Sequence, residues 1–160
     1  MILKTRKICC DMDGVTVDFD RGFYQIFQIE PHSIPREQMW DMIRSYPNYY
    51  FHLPPMPDYL KLWASIEHLN PIKLTAIPRK GNIPTAEQDK RDWVARYIGN
   101  HVEVRIGPYA HDKKNHCTPG DVLIDDRIEN INDWNDVGGI GILHTSANNT
   151  IQLLTDLQII

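Results

Sequence analysis

Apolar and polar positions along the chain fall into short apolar runs separated by longer mixed stretches. Lys7–Cys10 is such a run, ending at Asp11 and Gly14, the pattern of a buried strand with a loop at its carboxyl end. Residues 72–75, 102–106, 122–124 and 140–144 repeat that pattern. Between them lie helical stretches at 85–98, 128–137 and 150–157. Thr85 and Gln88 have the spacing of a capping box, and Gly99 and Gly138–Gly139 are stop signals. Strands alternating with helices predict an α/β fold with a mainly parallel sheet sandwiched by helices.

Residues 21–70 have another texture, rich in aromatics and in prolines such as Pro31, Pro35, Pro47 and Pro54. Short helices are expected at 21–29, 36–45 and 57–69, broken by those prolines. The expectation is one unit spanning 1–160, with a core of 1–20 and 70–160. A small helical cap of about 21–69 is inserted after the first strand. Trp63 and Trp93 fall on apolar helical faces and are expected in the core.

Composition narrows the function classes. Of 160 residues, 42% are hydrophobic and 24% charged, ordinary values for a globular chain that exclude disorder and coiled coil. Seventeen Lys+Arg against twenty-one Asp+Glu leave a formal charge of −4. That balance argues against a nucleic-acid polymer as partner, since its backbone calls for a basic surface. The three cysteines, Cys9, Cys10 and Cys117, read as reduced structural thiols. There is no apolar stretch of signal-peptide or membrane-span length, so the expectation is a cytoplasmic protein without membrane contact. The seven histidines show no metal-ligand spacing.

In a parallel sheet, ligands bind outside the carboxyl ends of the strands. Asp11 and Asp13 follow the first strand, Thr75 the second, and Asp125 and Asp126 the fourth, with Lys113 and Lys114 between the third and fourth. Four converging carboxylates repel unless a cation intervenes. A hard divalent ion, Mg²⁺ above all, suits oxygen ligands and leaves positions for phosphate oxygens. The chemistry implied is phosphoryl transfer, with an Asp as possible covalent nucleophile. Plainer readings stand beside this one. Asp125–Asp126 would serve as an N-cap pair for helix 128–137, and Thr75 as an ordinary β-branched strand residue.

These residues resemble the haloacid dehalogenase (HAD) phosphatase superfamily. Asp11-Met12-Asp13-Gly14-Val15 looks like its first motif, Thr75 its second, Lys113 or Lys114 its third, and Asp125-Asp126 its fourth. Longer stretches resemble the 5′(3′)-deoxyribonucleotidases: DMDGVTVDF at 11–19, YYFHLPPMPDYL at 49–60, KRDWVARYIG at 90–99, VLIDDR at 122–127 and GILHTSANN at 141–149. Ala76 stands where family members tend to carry a hydroxyl, leaving only its backbone N–H for phosphate. Lys113 is favoured over Lys114 because it follows Asp112 in a family-like Asp-Lys pair.

The resemblance implies a Rossmann-like HAD core and hydrolysis of a deoxynucleoside monophosphate such as dTMP or dUMP. It implies Asp11 as nucleophile and Asp13 as acid and base. Mg²⁺ is held by Asp11, the Asp13 backbone carbonyl and Asp125, with Asp126 orienting the site from behind. Thr75, Ala76 and Lys113 bind the phosphate. Phe19, Tyr49, Tyr50 and Phe51 are candidates to stack on the base, with Trp40 weaker. Arg79 and Lys80 could add positive charge near the phosphate or sugar, although exposed loop charges are usually just solvated. Family members can be homodimers. The alternatives are a HAD phosphatase for another phosphomonoester and a non-catalytic nucleotide-binding protein of this fold.

Overall fold

A computed structural model describes residues 6–79 and 82–160. Lys80, one of the candidate cations, lies outside the described residues. Among the described residues five strands form one sheet: β1 (Ile8–Cys10), β2 (Ile72–Thr75), β3 (Val104–Ile106), β4 (Val122–Asp125) and β5 (Ile140–Leu143). Their order is β3-β2-β1-β4-β5, and every neighbouring pair runs parallel. β1, β2 and β4 are buried throughout, which suits the near-continuous apolar runs of strands covered on both faces.

The helices are α1 (Phe19–Phe27), α2 (Arg36–Ser45), α3 (Tyr59–Ile66), α4 (Ala86–Tyr97), α5 (Ile128–Asp136) and α6 (Ala147–Asp156). The first three lie between β1 and β2, joined by 3-10 turns at Pro31–Ser33 and Tyr49–His52. Another 3-10 segment, Ala110–His116, precedes β4. Among the described residues no helix is long and apolar enough to cross a membrane.

Alternation along β1 sends its side chains to opposite faces of the sheet. Ile8 and Cys10 pack with Leu62, Trp63, Ile66 and Leu154 of α3 and α6. Cys9 joins Leu74, Leu123, Ile131 and Trp134 on the α5 side. A third cluster unites the inserted helices with α4. There Phe23, Ile43, Tyr49, Tyr50 and Leu53 pack against Trp93 and Val94. The Trp93 indole N–H donates to the Leu53 carbonyl at 2.8 Å, which pins the insertion to α4.

Element boundaries depart from the expectations where local capping intervenes. Helix α1 begins at Phe19, because the Asp18 carboxylate accepts from the Arg21 N–H at 3.1 Å. Helix α6 begins at Ala147, where the Ser146 hydroxyl accepts from the Asn149 N–H at 3.1 Å. The capping box expected at Thr85 does not form. Thr85, at the N-cap, already has right-handed helical backbone angles instead of extended ones, and its hydroxyl donates to the Asp89 carboxylate at 2.9 Å. Strand β3 starts at Val104, because Val102 N–H is turned back onto Gly99 O.

Candidate active site

The end of β1 is held in place before any ligand enters. The Asp11 N–H donates to Ile124 O at 2.9 Å, tying the loop to β4. The N–H groups of Val15, Thr16 and Val17 then all point at Met12 O, closing a tight turn. Gly14 sits in this turn at φ +81°, and a Cβ there would overlap the Asp126 carboxylate. Only glycine satisfies both the backbone angle and that close approach. Beneath the turn, the buried Lys73 ammonium donates to Asp11 O at 3.0 Å and to the Thr16 hydroxyl at 2.8 Å. Burial lowers its pKa, against the pull of Cys10 and Asp11.

Lys113 stands at the centre. Its ammonium lies 2.7 Å from Asp11 Oδ1 and 2.7 Å from Asp125 Oδ2, with all three side chains buried. Burial works against its charge, but Asp11 and Asp125 outweigh it and raise its pKa. Lys114 instead is half-exposed, 3.6 Å from Asp133. Asp125 is saturated with donors. Asn130 Nδ2 reaches both its oxygens at 3.1 and 3.0 Å, and the Arg127 N–H donates to Oδ1 at 2.9 Å. Burial and the charge of Asp11 still push its carboxyl up to about 6.

Asp126 behaves differently. It is exposed on the rim, yet crowding by protein around its carboxyl, then repulsion from Asp11 and Asp125, push it up to about 7. One oxygen each of Asp11, Asp125 and Asp126 lie within 4.8 Å of one another. An all-oxygen, mutually repelling trio of this size fits a hard divalent cation. Asp126, expected behind the site, thus stands within the cluster. Asp125 spends its oxygens on Lys113, Asn130 and the backbone.

Asp13 faces the other way. Its Oδ2 accepts from the Lys90 ammonium at 2.6 Å, while its buried Oδ1 has no hydrogen-bond partner among the described residues. Lys90 also donates to the Thr75 hydroxyl at 3.0 Å and lies over the Tyr50 ring at 4.8 Å. Thr75 is buried at the end of β2, and Ala76 lines the cleft beyond it. A cleft of about 410 Å³ opens over Asp11, Asp13, Gly14, Lys113 and Asp126, with Phe19 and Met56 on the insertion side.

The aromatic candidates separate. Phe19 and Tyr50 line the clefts. Tyr49 does not: it is fully buried, packed among Phe19, Phe23, Phe27 and Tyr50. Phe51 turns to Arg96 and His52 and lines neither cleft. Both are corrections to the expected base pocket, caused by the demand of the insertion for its own core. Trp40 does line the second cleft.

Lys90, Lys73 and Asn130 were not anticipated. The signal for Lys90 was present: it shares the buried face of α4 with Ala86, Trp93 and Val94. A lysine inside an apolar stripe needs a partner there. Lys73 likewise interrupts the apolar run of β2.

No protein-family model matches the chain. Over 130 residues the chain is 32% identical to a protein of Vibrio phage KVP40 named "Putative 5′(3′)-deoxyribonucleotidase", across 79% of this chain and 71% of that one. Among solved structures, a hydrolase from Streptococcus pneumoniae TIGR4 aligns over 96% of this chain and all of its own, with a TM-score of 0.53 and 12% identity. At that identity the likeness concerns the fold.

Proposed function

Since the chain belongs to the 5′(3′)-deoxyribonucleotidase family, we propose that it hydrolyses deoxynucleoside monophosphates, dTMP or dUMP first among them, to nucleoside and phosphate. The observation that carries this reading is the pairing of Asp11 with Lys113 beside Asp126, at the floor of a cleft that Asp13 also lines. A nucleophile, an anion-binding cation, a cation-binding carboxylate and a second acid are the parts that ester hydrolysis at phosphorus needs.

In this mechanism an Asp11 carboxylate oxygen bonds to phosphorus as the bond to the nucleoside oxygen breaks. Asp13 gives that departing oxygen its proton, from the Oδ1 that no protein group engages. Water then attacks the aspartyl-phosphate, Asp13 takes the proton of that water, and Asp11 is released with inorganic phosphate. Lys113 and the Ala76 N–H hold the phosphate oxygens, and Thr75 positions Lys90 against Asp13. Asp11, Asp125 and Asp126 would hold Mg²⁺, with the Asp13 carbonyl that the family resemblance assigns. When bound, that ion offsets the negative charge of carboxylates and phosphate together.

The test is phosphate release from each common nucleoside monophosphate, with and without Mg²⁺. Release from dTMP or dUMP that requires Mg²⁺ and disappears in Asp11→Asn is the expected result. Full activity of Asp11→Asn refutes the nucleophile. A sugar phosphate preferred by orders of magnitude in kcat/KM refutes the substrate class.

A further inference from the structure

A second cleft of about 420 Å³ adjoins the catalytic one, and the two share Asp13, Phe19, Ala76, Ala110 and Arg127 in their walls. Their charges are opposite. The catalytic end carries Asp11, Asp13, Asp18, Asp20 and Asp126. The far end carries Arg36 from the start of α2 and Arg79 from the loop after β2, with Arg127 from the loop after β4 at the junction, where the shared Asp13 is paired with Lys90. Three separate segments therefore bring guanidinium groups to one wall.

These arginines are not consumed by the protein. Arg21, Arg91 and Arg105 each lie within 4.0 Å of a carboxylate, whereas Arg36 and Arg79 have no such partner among the described residues. Arg127 only reaches Glu129, at 4.0 Å. Arg79 lies over the Tyr109 ring at 5.3 Å, which orients it without neutralising it. Trp40 adds to the same wall a buried indole N–H that has no acceptor among the described residues. Every one of these groups is a donor.

A nucleoside monophosphate spends its one phosphate at Lys113, and what remains of it is neutral. A neutral base and sugar do not call for a wall of guanidinium groups, whose forked geometry matches phosphate oxygens. Resting on the nucleotidase reading for the reacting ester, we infer that the second cleft binds a second phosphate on the same substrate, making a deoxynucleoside 3′,5′-bisphosphate the preferred ligand. The sugar then spans Phe19 and Ala76, with one phosphate at each end of the joined cleft.

Calorimetry on the Asp11→Asn protein with Mg²⁺ reads this without turnover, using dTMP and thymidine 3′,5′-bisphosphate as probes. The bisphosphate should bind about ten-fold more tightly or better, and the advantage should shrink as salt is raised. Adding Arg36→Gln and Arg79→Gln should bring the ratio of the two affinities to about one. Equal affinities in the Asp11→Asn protein, or an advantage that survives the double arginine substitution, overturn the second subsite. If dTMP is hydrolysed by the wild type while the affinities are equal, only the second subsite falls. If neither nucleotide binds and the wild type cleaves a sugar phosphate, the nucleotidase reading has failed and takes the subsite with it.

Discussion

Lys113 is the resident counter-charge of the site, and removing it has a calculable effect on the metal-free protein. Lys113→Met keeps the length and the apolar stem but leaves Asp11 and Asp125 facing each other without the cation that sits 2.7 Å from both. Breaking a buried ion pair by deleting one partner costs about 3–5 kcal/mol. In a chain of this size 1 kcal/mol moves Tm by about 2–4 °C, so the variant should melt about 10 °C lower. The loss has a pH signature. The stranded carboxylates take up protons on folding, so the variant regains stability as pH falls. In the wild type the pKa of Lys113 is raised on folding, so its contribution is present below the ordinary lysine range and lost as pH climbs through its folded value. Melting curves followed by circular dichroism at about pH 5 and about pH 8, in chelator and in Mg²⁺, separate these effects. The gap between variant and wild type should be widest at the higher pH in chelator and should narrow with acid or with Mg²⁺. A variant that melts within about 2 °C of wild type at the higher pH in chelator refutes the claim that Lys113 balances a buried carboxylate pair.

Gly14→Ala should cost about 1–2 kcal/mol from the positive φ alone and should also displace Asp126, so Mg²⁺ affinity measured by calorimetry should fall further than stability measured by melting. Unchanged Mg²⁺ affinity would remove Asp126 from the cation site. The raised pKa values of Asp125, about 6, and Asp126, about 7, give the metal-free protein a definite pH response. Because both groups hold protons more tightly folded than unfolded, stability falls as pH rises from the ordinary carboxylate range toward 7, and Mg²⁺ affinity rises over the same window. Titrating Mg²⁺ near neutral pH in buffers of different ionisation heat should show proton release, and none would contradict those shifts.

Much of this fold was written in short-range pattern. The run before Asp11 and those at 72–75 and 122–124 are buried on both faces, and such strands announce themselves as near-continuous apolar stretches, with Lys73 an interruption in β2. The acids at their ends follow, because parallel strands deliver their carboxyl termini to one edge. What stayed hidden depends on distance in sequence. The stripe of Ala86, Trp93 and Val94 marks Lys90 as buried, but its partner Asp13 lies 77 residues away and no local pattern names it. Tyr49 and Phe19 look alike in composition, but one fills the core of the insertion and the other faces the cleft. That Asp126 joins Asp11 and Asp125 in one cluster depends on the loop after β4, and Asn130, in the first turn of α5, fixes the Asp125 carboxylate.

The place of β1 in the sheet bears on how the molecule comes into being. It is the first strand among the described residues, yet it pairs with β2 on one side and β4 on the other. Contacts that fix its end reach across the chain: Lys73 to Asp11 O spans 62 residues, and the Lys7 N–H to Asp121 spans 114. Loops of that length close slowly, and nothing rewards the closure until the partner strand exists. A chain emerging from the ribosome therefore carries Asp11 and Asp13 through the synthesis of about a hundred further residues before the lysine and carboxylates that would arm them are made. The two acids after β1 are made long before they can become a site, and fragments ending before β4 should be inert toward any phosphate ester.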